Sequence, residues 1–309
     1  MSIRFSQVPH SILLVRPASF GYNPETASSN AFQRHPKDNK KVQQEALVEF
    51  DEVINVLSKK NIANIMVEDT SIPETTDAIF PNNWITTHQD GKVVLYPMMA
   101  PSRRKERRTD IVDLLKERFQ VSEVIDLSDS ENQNEFLEGT GSIIFDHPHR
   151  VAYACRSDRT NKIQLEKLCQ LLNYRPLLFD AVDENDQPIY HTNVMMWIGA
   201  SVAGICLDSI KSEEQQEAIL SQLSSSNHKV IALSYTQMNQ FAGNMFEVEN
   251  ATGKRFLLMS QTARDSLLSG QLAEIEKHAE PLPIDIHTIE ESGGGSIRCM
   301  VAGIHLPKK

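Results

Sequence analysis

The sequence predicts an α/β fold built from one unit repeated five times. Two observations carry this. Five segments place apolar residues at three- and four-residue spacing with charges between them, the pattern of amphipathic helices. Short apolar runs of strand character lie between those segments, two or three to each helix. The helical segments centre on roughly residues 50, 111, 166, 218 and 269, a period of roughly 50–60 residues.

The elements follow in order. SILLVRP (11–17) is the first strand run, and a polar stretch (23–41) separates it from a helix at 41–60. NIMVED (64–69) and KVVLYPM (92–98) precede a helix at 104–119, and SEVIDL (122–127), SIIFD (142–146) and RVAYAC (150–155) come next. A helix at 160–172 is followed by PLLFDAV (176–182), NVMMWIG (193–199) and VAGICLD (202–208). The fourth helix, 212–225, leads to KVIALSY (229–235) and RFLLMS (255–260). The fifth, 262–277, leads to PIDIHTI (283–289) and RCMVAGIHL (298–306). Several helices have Ser, Thr or Asn near the front and acids in the first turn, as a helix N-terminus prefers. Adjacent strand runs point to mixed rather than purely parallel sheets. No G-x-G-x-x-G follows a strand, which argues against a dinucleotide fold. The polar stretch 23–41 is long for a connection and reads as a lid over a site, with Asn23, Asn30 and Gln33 as its candidate contacts.

Composition narrows the function. A net charge of −10 disfavours nucleic acid as a partner. No run of about 18 apolar residues exists, so no membrane span is expected. Residues 1–17 carry a short apolar run without a small-residue cleavage site, unlike a secretory signal. The four cysteines, Cys155, Cys169, Cys206 and Cys299, form no C-x-x-C pair and no zinc-spaced cluster. Scattered thiols suit a reducing cytoplasm. The first three sit among apolar neighbours and read as buried small hydrophobes.

Cys299 differs, because SGGGSIRCMVAG (292–303) places three glycines just ahead of it. Two readings stand: a nucleophile approached through side-chain-free backbone, or a buried strand cysteine after a Gly-rich turn. His191 sits where the polar VDENDQP meets an apolar strand, the place for a general base or for a surface histidine. Glu138 precedes a Gly-Thr-Gly turn in FLEGTGSIIFD, where a carboxylate is partly desolvated. Asn82 and Asn83 lie between Pro81 and Trp84, as a turn or as polar ligand contacts.

Together and in this order, FPNNW, FLEGTG, HTNVMM and GGGSIRCM resemble the guanidino-group-modifying enzymes, the amidinotransferase or pentein superfamily. VRPASFGYNPETASSNAFQ and APSRRKERR resemble family stretches as well, so the likeness spans almost the whole chain. That superfamily includes arginine deiminases, dimethylarginine hydrolases and glycine amidinotransferases, and the nearest group is the citrulline-utilisation hydrolases. The resemblance implies a single catalytic domain over residues 1–309, a five-bladed α/β propeller of ββαβ repeats. It implies Cys299 as nucleophile, His191 as general acid/base and Glu138 as the acid beside it, with no metal and no organic cofactor. Sulfur would attack a trigonal guanidinium or ureido carbon, His191 would protonate the leaving nitrogen, and water would release the S-linked intermediate.

The chain departs from the deiminases where they grip a cation. Their aspartates, in an RDP-like and an HLD-like stretch, correspond here to Asn83 and Asn193, and their EGGD becomes EGTG at 138–141. Carboxylates suit a cation, whereas amides both donate and accept and suit a neutral ureido group. The expected substrate is therefore citrulline, a small amino acid, with ornithine, ammonia and carbon dioxide as products. A deiminase, a dimethylarginine hydrolase or an amidinotransferase is the alternative. Arg103 in APSRR is expected to pair with the α-carboxylate. A silent binding module is a third class, opposed by the joint presence of Cys299, His191 and Glu138. Self-association into a homo-oligomer stays open.

Overall fold

A computed structural model of the chain describes residues 5–27, 30, 32–36 and 38–309. Fifteen strands form five sheets of three strands each. The first sheet holds β1 (Ser11–Arg16), β2 (Asn64–Glu68) and β15 (Ala302–Ile304). The second holds β3 (Ile85–Thr87), β4 (Lys92–Leu95) and β5 (Glu123–Asp126). The third holds β6 (Ile144–Asp146), β7 (Val151–Cys155) and β8 (Arg175–Phe179). The fourth holds β9 (Met196–Ile198), β10 (Val202–Ile205) and β11 (Lys229–Ala232), and the fifth β12 (Phe246–Glu249), β13 (Arg255–Ser260) and β14 (Glu280–Ile284).

Every sheet has the same register logic. One antiparallel pair meets one parallel pair on a shared middle strand, as β3 and β5 do on β4. A parallel neighbour needs a crossover, and a helix supplies it. The crossing helices are Asn39–Lys59, Thr109–Arg118, Lys162–Leu172 and Glu213–Ser225, with Gln261–Ser266 and Ser269–Glu276 in the fifth sheet. Asp38, Asn161 and Ser212 cap three of them by accepting from backbone amides of the first turn. The C-terminal strand completes the first sheet, because β15 pairs antiparallel with β1.

The helices bury one face in the core. Phe50, Val53 and Leu57 of the first helix are fully buried in one cluster with Ile12 and Leu14 of β1 and Leu282 and Ile284 of β14. Removing one such aromatic, Phe50→Ala, would cost about 3–5 kcal/mol. Residues of β3, β6, β9, β12 and β15 line one cavity of about 40 Å³ between the sheets, together with the adjoining His88, His147, Arg298 and His305.

Three expectations are corrected here. The apolar pattern does not reveal β3 and β12, since β3 is only three residues long and β12, FEVE, carries two acids. Glu247 of β12 turns inward and accepts from the Ala200 amide, so its charge hides a buried strand. Residues expected as strand at 283–289 instead split between β14 and a helix, His287–Gly293, whose first amides are capped by Glu49. The helix expected at 262–277 breaks at Leu267 and Leu268, both extended, where Gln271 accepts from the Leu268 amide.

Candidate active site

Four quoted motifs occupy equivalent places. A tight turn precedes each inner strand: Pro81–Asn83 before β3, Gly139–Ser142 before β6, Thr192–Val194 before β9, and the turn at 296–300 before β15. Asn83, Asn193 and Cys299 each stand two or three residues ahead of their strand. The fifth turn, before β12, carries Asn244 in the same place, a residue the sequence analysis missed. An asparagine recurring just before the inner strands was the signal for it.

Cys299 and His191 line one small cavity of about 20 Å³, with Asn83 and Arg103 on its wall. Glu138 lies behind His191, its Oε2 2.9 Å from Nε2 of the ring. Glu138 also accepts from the Met99 amide at 3.0 Å and faces Arg159 Nη1 at 3.4 Å. Burial opposes ionisation of Glu138, but Arg159 and His191 outweigh it and hold the carboxyl well below the usual carboxylate range. Burial pushes His191 down to about 4 despite the Glu138 hydrogen bond, so its ring is neutral at pH 7. With Nε2 committed to Glu138, Nδ1 is the nitrogen left for proton transfer.

Two amides address the sulfur. Asn193 Nδ2 donates to Cys299 Sγ at 3.4 Å and Asn244 Nδ2 at 3.3 Å. Asn244 is itself fixed, because its Oδ1 accepts from the Arg298 amide and its Nδ2 also reaches the Asn193 carbonyl. Donors aimed at sulfur stabilise negative charge on it.

Asn83 is oriented by Arg103. A guanidinium only donates, so the 2.7 Å contact from Arg103 Nη1 identifies Oδ1 and leaves Nδ2 on the other side, without a partner. Arg103 is buried and donates also to Glu106 and to the Phe80 carbonyl. Asn82 is buried one step back. Among the described residues its side chain has no hydrogen-bond partner, and its carbonyl accepts from Thr140 Oγ1 at 3.2 Å.

Two glycines at the site are required by contact. At Gly141 a Cβ would lie 2.4 Å from Asn83 Nδ2 and 2.8 Å from the His191 ring. Gly294 has φ of +65° and abuts Asn30, where a side chain would be strained and blocked.

Of the expected lid residues, Asn30 lines the cavity and donates weakly to the Gly293 carbonyl at 3.4 Å. Asn23 donates to Asp77 Oδ2 at 2.8 Å, and Gln33 accepts from Thr26 Oγ1. Ser28, Ser29, Ala31 and Lys37 of that stretch lie outside the described residues. Two charged residues that the sequence analysis did not single out, Asp77 and Arg159, also line the cavity. Both stand in loops without a repeating motif around them.

The sequence matches the family described as "N,N dimethylarginine dimethylhydrolase, eukaryotic" over residues 16–306, nearly the whole chain. The chain belongs to this family. It is thereby a pentein, one of the guanidino-group-modifying hydrolases. Solved structures share the pentein fold at low identity. The N-terminal domain of ArgZ, an arginine dihydrolase from the ornithine–ammonia cycle in cyanobacteria, solved with product, superposes with a TM-score of 0.73 at 16% identity, covering 96% of this chain and 98% of that one. A cysteine-to-alanine mutant of AgrE with L-arginine gives 0.74 at 15% identity, and this pentein spans 40% of that longer chain and is covered over 97% of its own. DDAH from Pseudomonas aeruginosa, a cysteine-to-serine mutant with citrulline, gives 0.66 at 12%, covering 96% and 99%. No curated protein matches the sequence. Among the described residues no helix is long and apolar enough to cross a membrane.

Proposed function

We propose that this pentein is a single-domain cysteine hydrolase acting on the ureido group of citrulline, its five sheets forming the blades of a closed propeller. One observation carries the substrate reading. Asn83 presents an unpartnered buried donor, Nδ2, and Asn193 an unpartnered buried acceptor, Oδ1. A ureido group offers a carbonyl oxygen and an NH₂, the matching pair. A guanidinium offers donors alone and would face Asn83 Nδ2 donor to donor. A site with such fixed groups discriminates strongly against a ligand that cannot pair them.

In this reading His191, neutral, takes the Cys299 thiol proton as sulfur bonds to the ureido carbon. The imidazolium, stabilised by Glu138, returns the proton to the leaving nitrogen as one C–N bond breaks. Water then cleaves the C–S bond with His191 as base. The carbamate released decomposes, so citrulline and water give ornithine, ammonia and carbon dioxide. Asp77 and Arg159 supply one anion and one cation to the cavity wall, suited to a zwitterionic amino-acid head. Arg103 adds its remaining Nη1 hydrogen as a contact for the substrate. The cavity has room for about one water, so its wall must move apart for the substrate to enter. Four free thiols suit a cytoplasmic setting.

Hydrolysis of a guanidino compound is the second reading. It is favoured by Asp77, buried in the cavity wall with Oδ1 unpartnered among the described residues, and by ArgZ being an arginine dihydrolase. Separate incubations with citrulline, arginine and dimethylarginine, with ammonia, ornithine and citrulline measured, decide between them. Citrulline formed from arginine with no turnover of citrulline itself would overturn the first reading. The Cys299→Ser enzyme should lose at least roughly a thousandfold in kcat.

A further inference from the structure

A second cluster lies apart from the catalytic cavity. Asp146 ends β6, His149 stands in the turn to β7, and His228 immediately precedes β11. None of the three lines the cavity that holds Cys299.

Asp146 is fully buried, and among the described residues its charge partners are two imidazoles. His149 Nδ1 lies 2.8 Å from Oδ1, and His228 Nδ1 lies 3.9 Å from Oδ2. A carboxylate withdrawn from water needs a cation close by. His228 is held from its other side. Its Nε2 meets the Gly199 carbonyl at 3.1 Å, and a carbonyl can only accept, so Nε2 carries the hydrogen. In the neutral ring the lone pair is then on Nδ1, which is buried and, among the described residues, has no hydrogen-bond partner. In that form a lone pair faces a carboxylate oxygen with no proton between them.

We propose that Asp146, His149 and His228 form a binding site for a divalent transition-metal ion, zinc foremost. The three donor atoms lie within 4.8 Å of one another. Metal–donor bonds of about 2.0–2.2 Å require shifts of only about an ångström from these positions. Two imidazoles and one carboxylate suit zinc, and the half-exposed His149 leaves a solvent-facing position for water. The Gly199 carbonyl acts as the outer partner that fixes the tautomer of a metal-binding histidine. His149 carries its hydrogen on Nε2 once Nδ1 binds the ion. The ion ties the β6–β7 turn of the third sheet to the start of β11 in the fourth, and its role is structural.

The test uses the full chain stripped with a chelator, then equilibrated with zinc chloride alone, with metal content and thermal unfolding as readouts. One zinc per chain and a higher Tm are expected. Both should persist after the accessible thiols are alkylated, which separates this site from Cys299. The His149→Ala chain should melt like the metal-free wild type and bind zinc at least roughly tenfold more weakly. Cobalt bound in place of zinc should show no sulfur-to-metal charge-transfer band. Absence of uptake, unchanged uptake in His149→Ala, or uptake lost on thiol alkylation would each overturn the assignment. If His228→Gln fails to fold, the His149→Ala comparison still decides.

Discussion

Glu138 Oε2 and His191 Nε2 lie 2.9 Å apart although 53 residues separate them in the chain. They come from the entry turns of two neighbouring sheets, before β6 and β9. Cys299 reaches them from a turn at the far end of the sequence, because β15 returns to pair with β1. The repeat is what converts distant motifs into one cavity.

The first prediction concerns that pair. Glu138→Gln keeps the shape and removes the charge, leaving Arg159 beside an amide and His191 without its anion. Loss of support for the imidazolium should lower kcat by roughly 10²–10⁴-fold while KM changes little. Steady-state ammonia release measures both. A raised KM with kcat intact would make Glu138 a substrate contact instead.

Asn83→Asp and Asn193→Asp together replace a neutral donor–acceptor pair by two carboxylates. The ratio of kcat/KM for guanidino over ureido compounds should rise by at least roughly tenfold, with citrulline turnover reduced. Each aspartate has a donor at hand, Arg103 for residue 83 and the Asn244 amide near residue 193. An unchanged ratio would remove the amides from substrate selection.

Gly141→Ala tests the close approach. The added methyl carbon would lie 2.4 Å from Asn83 Nδ2 and 2.8 Å from the His191 ring, so one of them must move. A displacement near an ångström costs roughly 10²-fold in rate. Circular dichroism should stay native while activity falls by that order. Full activity would mean that His191 and Asn83 have freedom the packing does not suggest.

Legibility in the sequence followed periodicity. Long helices and buried middle strands announced themselves, as with Ser11–Arg16, whose residues are nearly all buried on both faces. Three-residue inner strands such as β3 carry too few positions to show an alternation. In the site, Cys299, His191 and Glu138 were readable because each stands in an unusual local context of glycines or at a polar–apolar boundary. Asp77 and Arg159 were not, since a lone charge in a loop looks the same whether it faces solvent or a cavity. Only the packing of segments distant in the chain buries them. Asn244 lies between these cases, visible once the repeated asparagine before the inner strands is recognised.

The last prediction concerns acid. Burial holds His88 at about 3 and His191 at about 4, and places His147 and His305 well below the ordinary imidazole range. All four are neutral in the folded chain at pH values where the unfolded chain, with imidazoles near 6.5, already binds protons. Stability therefore depends on pH with a positive slope below about 6.5, each histidine contributing up to about 1.4 kcal/mol per pH unit. The stability is fully present above the unfolded pKa and is lost as pH falls toward the folded values, between about 6.5 and 4. Against a typical total of about 5–15 kcal/mol, four such groups should unfold the protein at roughly pH 4–5. Urea melts at pH 7, 6 and 5 should show the midpoint falling at each step. The His88→Gln chain, if folded, should show a shallower fall, because one of the four proton-binding differences is gone. A midpoint that holds constant across this range would mean that these rings are protonated, or reached by water, in the native protein.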